Sequence, residues 1–348
     1  MTTLRLATEA DDAVLRGLMR ENGMATWVEM AIEREPSFFA GKQLCGEEWA
    51  VIAEENQEVV GMYTAALRPV YVNGKLERLG YLGGLRVAAS HRHRIRHLRQ
   101  GYASIEPLAP AAGTLPWWFT VVASDNFAAR RLLESGVRGL PTYHALGDYV
   151  TLALPVSRGA REGLWRRADE SCLDDVVAFH NAHASGFELA PVLDRAFVGR
   201  IGLDRFYVLE RDGRLQGVAA LWDQRSFKQI VAVRYRRPIG SLLPAYNAYA
   251  KLFRRVPLPP ERQPLSHAFI AFLALADEAR SDARRVLRDL LSHCQTPVAS
   301  LGLHTEHPWI ETLDAFKPVR YPARVYGVTF EARPRVSERP VQPEAALL

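Results

Sequence analysis

The sequence predicts an α/β protein built from two similar domains in tandem. One signal is a short strand followed by an acidic helix start and an amphipathic helix, which begins at Leu4 and again at Leu164. The other is a hairpin, two apolar strands around a polar turn, at residues 51–61 and again at 208–217. Both pairs are separated by about 160 residues. A duplicated domain explains this shared period better than chance does.

Three further elements recur in the same order in both halves. They are an apolar strand before a basic segment, a later strand and a helix, at residues 79–87, 119–123 and 127–134, and again at 267–275, 298–303 and 308–316. A strand at 149–154 closes the first half. Residues 236–263, rich in proline and tyrosine, are interpreted as an insertion in the second half.

The length and composition agree with this organisation. A chain of 348 residues suits two domains of ordinary size, and 48% hydrophobic with 24% charged residues excludes wholesale disorder. We divide the chain into residues 1–156, residues 157–331 and a proline-rich tail at 332–348. Because the tail carries mixed charge and several prolines, we expect it to be mobile.

The charge balance and the cysteines restrict the functional class only loosely. A net charge of +5 suits an anionic ligand, but on charge alone an arginine-rich solvated surface is the favoured explanation. Cys45, Cys172 and Cys294 are far apart, which gives neither a disulfide framework nor a zinc spacing. The longest apolar run, residues 268–276, is half the length that spans a bilayer. We therefore expect a cytoplasmic protein with no membrane partner.

Two segments of the first half carry a family resemblance. Residues 79–92 and 125–136 resemble the fourth strand, with its exit, and the later strand-to-helix segment of the GNAT superfamily of CoA-dependent N-acyltransferases. The likeness extends over residues 3–154 and, more weakly, over 164–331. The resemblance implies an α+β type fold, in which each domain is a mixed, mostly antiparallel sheet flanked by helices. It also implies a degenerate second copy, acetyl-CoA as the cosubstrate, and no metal.

The resemblance places a CoA site in the first half. The backbone of Leu85, Arg86 and Val87 would lie along the pantetheine, with Asn126 nearby. The pyrophosphate, which needs converging amides and positive charge, would lie against the loop that contains Arg92, His93, Arg94, Ile95 and Arg96. The family usually has small residues where this chain has Ile95 and His97, so a solvated basic helix start is the alternative. In the second half Asp282 would repel a pyrophosphate, which favours a structural or substrate-shaping role for that copy.

The catalytic positions depart from the family pattern. Gly83 and Leu85 stand where a carboxylate is common, and the usual tyrosine would fall near Leu133. Tyr81 shares a strand face with Gly83 and could replace the acid, although a core aromatic is the simpler interpretation. Tyr143, followed by His144, lies beyond the later helix in what we expect to be a solvent-facing loop. Tyr81 and Tyr143 are therefore the candidate catalytic residues.

The sequence favours an enzyme but leaves rivals open. The leading hypothesis is an N-acetyltransferase that moves the acyl group to an amine of a small molecule or peptide by direct attack in a ternary complex. The first alternative is an inactive GNAT-like protein that binds CoA or regulates a partner. We do not expect nucleic acid, because no known nucleic-acid module is visible, and homo-oligomerisation stays open.

Overall fold

The computed structural model describes residues 2–21, 24–25, 28–44, 46–91, 95–105, 113–156, 161–330 and 333–348, with only the backbone at 24–25, 95–98 and 278. The strands are β1 Thr3–Leu6, β2 Met24–Ala25, β3 Val28–Glu33, β4 Glu47–Glu55, β5 Glu58–Val72, β6 Lys75–Val87, β7 Trp118–Ala123, β8 Thr142–Pro155, β9 Trp165–Arg167, β10 Phe206–Arg211, β11 Arg214–Trp222, β12 Gln229–Tyr235, β13 Gln263–Pro264, β14 His267–Leu275, β15 Val298–His304 and β16 Val319–Thr329. The α-helices are α1 Asp12–Arg20, α2 Ile95–Ala103, α3 Phe127–Leu133, α4 Leu173–Ala184, α5 Arg195–Ile201, α6 Ile239–Phe253, α7 Asp277–Arg280, α8 Ala283–Ser292 and α9 Trp309–Asp314.

One 12-stranded sheet runs through the described chain, in the order β1-β4-β5-β6-β7-β16-β8-β15-β14-β11-β10-β9. Counted from its two ends, β1, β4, β5, β6 and β7 correspond to β9, β10, β11, β14 and β15. The two halves exchange their last strands, so that β16 pairs with β7 and β8 pairs with β15. The tandem arrangement is therefore built into one sheet, and the exact boundary at residue 156 stays a prediction.

The two hairpins expected from the sequence are confirmed, and their turns show why they form. Asn56 and Gln57 join β4 to β5 with φ angles of 53° and 66°. Asp212 and Gly213 join β10 to β11 with φ angles of 50° and 69°. Two successive residues with positive φ form the two-residue turn whose twist suits an antiparallel hairpin. The matching turns place the long strands β5 and β11 at equivalent positions in the sheet.

The hydrophobic cores lie on both faces of the sheet. In the first half α1 packs on one face of the sheet through Leu15. On the opposite face α2 packs through Tyr102, in the cluster that contains Leu82. In the second half α4 and α8 cover the two faces in the same way. A smaller sheet, β13-β12-β3-β2, joins the halves outside the main sheet, since β3 of the first half pairs with β12 of the second. No helix among the described residues is long and apolar enough to cross a membrane.

The segment that enters the second half is fixed by one buried carboxylate. Asp289 of α8, only 2% exposed, accepts hydrogen bonds from the backbone amides of Glu162, Leu164 and Trp165 at 2.6–3.0 Å. A buried carboxylate with three amide donors is well compensated for its loss of hydration. Asp289 therefore holds the start of β9 against α8.

The expectation of a mobile tail is wrong. Val341, Ala345, Ala346 and Leu347 are buried in the central core, and the hydroxyl of Tyr149 donates to the carbonyl of Pro343 at 2.8 Å. Composition misled here because the prolines and charges are interspersed with small apolar residues that fit between the two halves. The tail is a structural part of the second half.

Candidate functional site

A cleft opens in the sheet of the first half, between the ends of two parallel strands. β6 and β7 pair only at Gly80 with Trp118 and at Tyr81 with Phe119. Beyond these pairs, the described residues 82–87 of β6 have no partner in β7. We call the space between residues 82–87 and 120–123 the first cleft.

A β-bulge bends β6 at this cleft. On the β5 side Thr64 pairs with Gly83 and Met62 pairs with Arg86, which leaves an extra residue in β6. Gly84 at the bulge has a φ of +59°, a conformation that favours glycine. A Cβ atom there would lie 2.9 Å from the hydroxyl oxygen of Thr64. The glycine is therefore required both by its backbone angle and by the close approach of β5.

The second half contains the same cleft and the same bulge. β14 and β15 pair at three positions, from His267 with Val298 to Phe269 with Ser300, and then separate. The registers match residue by residue: in the first half Gly61 faces Val87, Met62 faces Arg86 and Thr64 faces Gly83, and in the second Gly217 faces Leu275, Val218 faces Ala274 and Ala220 faces Ala271. Phe272, with a φ of +54°, therefore stands where the first half has Gly84.

The C-terminal tail enters this second cleft, where Gln342 and Glu344 line one side of a cavity. Glu344 accepts a hydrogen bond from the backbone amide of Phe272 at 2.7 Å, and so covers β14. Gln342 covers β15, because its amide group donates to the carbonyl of Gly302 and accepts from the amide of His304, both at 2.8 Å. The tail thus bridges the two separated strands with side-chain hydrogen bonds.

No equivalent plug covers the first cleft within the described chain. Among the described residues, no side chain caps the amide of Gly84 as Glu344 caps that of Phe272. Two apolar side chains are exposed at this end of the strands, Leu85 at the bulge and Phe127 at the start of α3. A gap between strands with an uncapped bulge amide and exposed apolar side chains suits an elongated ligand.

Arg86 brings a partly buried positive charge to the end of β6. Its Nη1 donates to the carbonyl of Leu85 at 2.9 Å, but its buried Nε has no partner among the described residues. Burial lowers the pKa of Arg86. A guanidinium in this state favours an anionic group nearby.

The candidate residue Tyr81 lies beside the cleft, half-buried on β6. A Cβ atom on Gly83 would lie 3.1 Å from the Tyr81 hydroxyl oxygen, so the side chain extends over Gly83, as strand alternation predicts. The guanidinium of Arg68 lies 4.8 Å from the centre of its ring, and Phe119 packs at 5.1 Å. These contacts fix the ring on the face away from Leu82.

Tyr143 is not in a loop, contrary to the expectation. It belongs to β8, which pairs with β16, and the neighbouring His144 contacts the hydroxyl of Thr329 at 3.2 Å. The hydroxyl of Tyr143 forms a hydrogen bond of 2.5 Å with the hydroxyl of Tyr102. Burial raises the pKa of Tyr143 well above its usual range. The error arose because the chain turns into a strand sooner after α3 than we expected. Tyr143 packs in the cluster around Leu82, and so the structure does not bring the two candidate tyrosines together.

The residues expected to hold the cofactor differ in what can be said of them. Leu85, Arg86 and Val87 form the end of β6, along the cleft. Asn126 caps α3, because its side-chain oxygen accepts from the amide of Ala129 at 3.2 Å. Three members of the basic loop, Arg92, His93 and Arg94, lie outside the described residues, and α2 begins at Ile95, followed by Arg96.

One cluster of polar side chains was not predicted from the sequence. His91 follows β6, and its Nε2 lies 3.2 Å from a carboxylate oxygen of Glu55 while its Nδ1 contacts the hydroxyl of Ser90 at 2.8 Å. No sequence motif links Glu55 to His91, because the two residues are 36 positions apart. The pairing of β4 with β5 and of Gly61 with Val87 is needed to place the end of the hairpin beside the exit of β6.

The fold places the chain among known architectures. No family model matches the sequence, and no curated protein matches it. The fold is that of the GNAT superfamily in a two-domain arrangement. Among solved structures, the chain is similar to Saccharomyces cerevisiae N-myristoyltransferase with bound myristoyl-CoA, at 13% identity over 96% of this chain and 84% of the enzyme, with a TM-score of 0.60. A structure of that enzyme with myristoyl-CoA and inhibitors gives 11% identity, 98% and 85% coverage, and a TM-score of 0.59.

Proposed function

We propose that this protein is a CoA-dependent N-acyltransferase that binds its acyl-CoA in the first cleft. The observation that carries the proposal is the hydrogen bond from the Phe272 amide to Glu344 in the second cleft. At the matching register, the Gly84 amide would serve the thioester carbonyl of a bound acyl-CoA. A fixed amide at that oxygen stabilises the negative charge that develops when the thioester is attacked.

The rest of the cofactor would follow the chain away from the bulge. The pantetheine would run along the backbone of Leu85, Arg86 and Val87. The pyrophosphate would lie at the basic loop before α2, where a helix N-terminus and arginine charge favour an anion. Asn126 would stay at the mouth of the cleft as the cap of α3.

The reaction is direct transfer in a ternary complex. The nitrogen of a neutral amine attacks the thioester carbon, the new C–N bond forms, the C–S bond breaks, and the CoA thiolate takes a proton. Of the two candidate tyrosines, Tyr81 is the one that lies on β6, three residues before Gly84. It serves as the acid that protonates the sulfur of CoA. The proton of the attacking nitrogen passes to water. His91, although held by Glu55, directly precedes the basic loop and so lies at the pyrophosphate end of the proposed path.

The acyl group and the acceptor are finer parts of the proposal. Acetyl is the group that the sequence resemblance implies, and the likeness to an N-myristoyltransferase makes a long acyl chain the competing choice. The acceptor is the amine of a small molecule or peptide. An inactive CoA-binding protein is the second candidate, because Gly83 and Leu85 provide no carboxylate and Tyr143 is engaged with Tyr102.

Thiol release measured with acetyl-CoA and with myristoyl-CoA, over a panel of amines and peptide N-termini, tests the proposal. We expect amine-dependent release with at least one pair. Gly84→Ala should reduce it at least tenfold, because a side chain distorts the bulge. Gly199→Ala, at a helix position where a Cβ meets nothing within 4 Å, is the matched control and should retain the parent rate. No release in any combination, with CoA still bound, would support the inactive binding protein instead.

A further inference from the structure

Helix α6 is anchored to the protein along one side only. Ile239 and Leu243 pack against the small cluster around Tyr235. The hydroxyl of Tyr246 donates to the carbonyl of Val256 at 3.0 Å, and Asn247 exchanges two hydrogen bonds of 2.9 Å with the backbone of Leu258. The helix is therefore fixed in place by both packing and hydrogen bonds.

A second side of α6 is apolar and exposed to solvent. Its large side chains are unusually accessible: Leu242 57%, Tyr249 46%, Leu252 75% and Phe253 49%. Residues 242, 249 and 253 are spaced by seven and four positions, which places them along one stripe of the helix. Leu252 lies beside this stripe, about 80° around the helix on the side away from the anchored residues. The rings of Tyr249 and Phe253 lie 4.7 Å apart on this surface. The stripe is thus a contiguous patch, in contrast to scattered surface residues.

Positive charges flank this stripe at both ends. Arg236 and Arg237 precede α6, Lys251 lies in its last turn, and Arg254 and Arg255 follow it, while the helix itself contains no acidic residue. Among the described residues, no salt bridge involves any of these cations. Glu261, in the following loop, accepts a hydrogen bond from the amide of Tyr235 at 2.9 Å. The patch therefore combines apolar side chains with uncompensated positive charge.

We propose that α6 is a docking helix that lies in the plane of an anionic lipid surface. Apolar side chains on one stripe and cations at its borders are the pattern of helices that insert shallowly among headgroups. A protein groove that encloses an amphipathic helix is less suitable, because Ile239, Leu243 and Tyr246 already bind the other side of α6. The sequence-based expectation of no membrane partner rested on the length of apolar runs, which decides spanning and leaves surface binding open.

Flotation of the full-length protein with vesicles tests this inference. One set of vesicles is phosphatidylcholine, and the other is an equal mixture of phosphatidylcholine and phosphatidylglycerol. We expect flotation with the anionic vesicles, and at least tenfold weaker partition into the neutral ones. The double variant R236Q/R237Q should weaken partition into anionic vesicles by about fivefold for each charge removed.

The apolar stripe is tested with a matched pair of variants. L242S/L252S should lower partition at least tenfold, while Leu76→Ser, at a residue that is 61% exposed on the β5–β6 hairpin, should change nothing. All of these side chains are at the surface, so the melting temperatures should equal that of the parent. Absence of vesicle binding by the parent overturns the proposal. So does a dimer in solution that L242S/L252S dissociates, since the stripe would then bind a second copy of this chain.

Discussion

The carboxylate of Glu344 accepts a hydrogen bond of 2.7 Å from the backbone amide of Phe272. Gly84 occupies the position equivalent to Phe272 in the other half of the molecule. The tail thus occupies part of one duplicated cleft, and no described side chain takes the same place in the other. This difference between the halves is the basis for proposing the first cleft as the cofactor site.

Replacement of Glu344 by glutamine should remove a pH dependence of stability. Burial raises the pKa of Glu344 from 4.5 to about 7. Below pH 4.5 the Glu344 carboxyl group is protonated in both the folded and the unfolded chain, and its contribution to the free energy of unfolding is fully present. As the pH rises to 7 the unfolded chain ionises first, so folding loses on the order of 3 kcal/mol through this group.

The measurement is urea unfolding of the parent and Glu344→Gln at pH 5 and pH 8. The difference between the two proteins should change in favour of the variant at pH 8. Comparison with the variant is needed because His180 acts in the other direction: burial lowers its pKa to about 4, so its share is lost as the pH falls below 6.5. Parallel pH profiles would show that Glu344 does not titrate in this range.

Removal of the Asp289 carboxylate should destabilise the second half. Asp289→Ala leaves three backbone amides without their acceptor, and each loss of a hydrogen bond to a charged group costs about 1.5–3 kcal/mol in a buried setting. We expect a total of at least ~3 kcal/mol by chemical denaturation. Asp174→Ala, which removes an exposed ion pair with Arg195, should cost less than about 1 kcal/mol. Equal losses in the two variants would contradict the anchoring role.

The basic loop should matter for CoA and not for folding. If this loop holds the pyrophosphate as proposed, the double variant Arg92→Ala and Arg94→Ala should remove two charge-assisted contacts to phosphate, each worth roughly 1.5–3 kcal/mol. CoA affinity by calorimetry should fall at least tenfold, while the melting temperature stays within about a degree of the parent. Unchanged affinity would assign these arginines to the solvated surface.

The two tyrosines should respond differently to loss of their hydroxyls. Tyr81→Phe should lower kcat by about 10²-fold if it protonates the leaving thiolate, with little change in the affinity for CoA. Tyr143→Phe removes the hydrogen bond with Tyr102. It should lower the free energy of unfolding by about 1 kcal/mol and leave kcat close to the parent value. Turnover of the Tyr81 variant at the parent rate would make this tyrosine a packing residue.

The sequence was sufficient for the fold because its signals are local and repeated. The hairpins around Asn56 and Asp212 and the strand at 267–275 were all found from pattern alone. The tail and Tyr143 were misjudged because long-range pairing determines their positions: β16 inserts beside β8, and Glu344 reaches β14. His91 and Glu55 meet for the same reason, because β4 and β6 both pair with β5 and their ends come together beside it.

Calorimetric titration of the parent protein with acetyl-CoA tests the central claim most directly. If the first cleft is the cofactor site and the tail occupies the second, one acetyl-CoA should bind per chain, and Gly84→Ala should weaken binding while Gly199→Ala does not. Absence of binding, two equivalent sites per chain, or one site indifferent to Gly84→Ala would contradict the account.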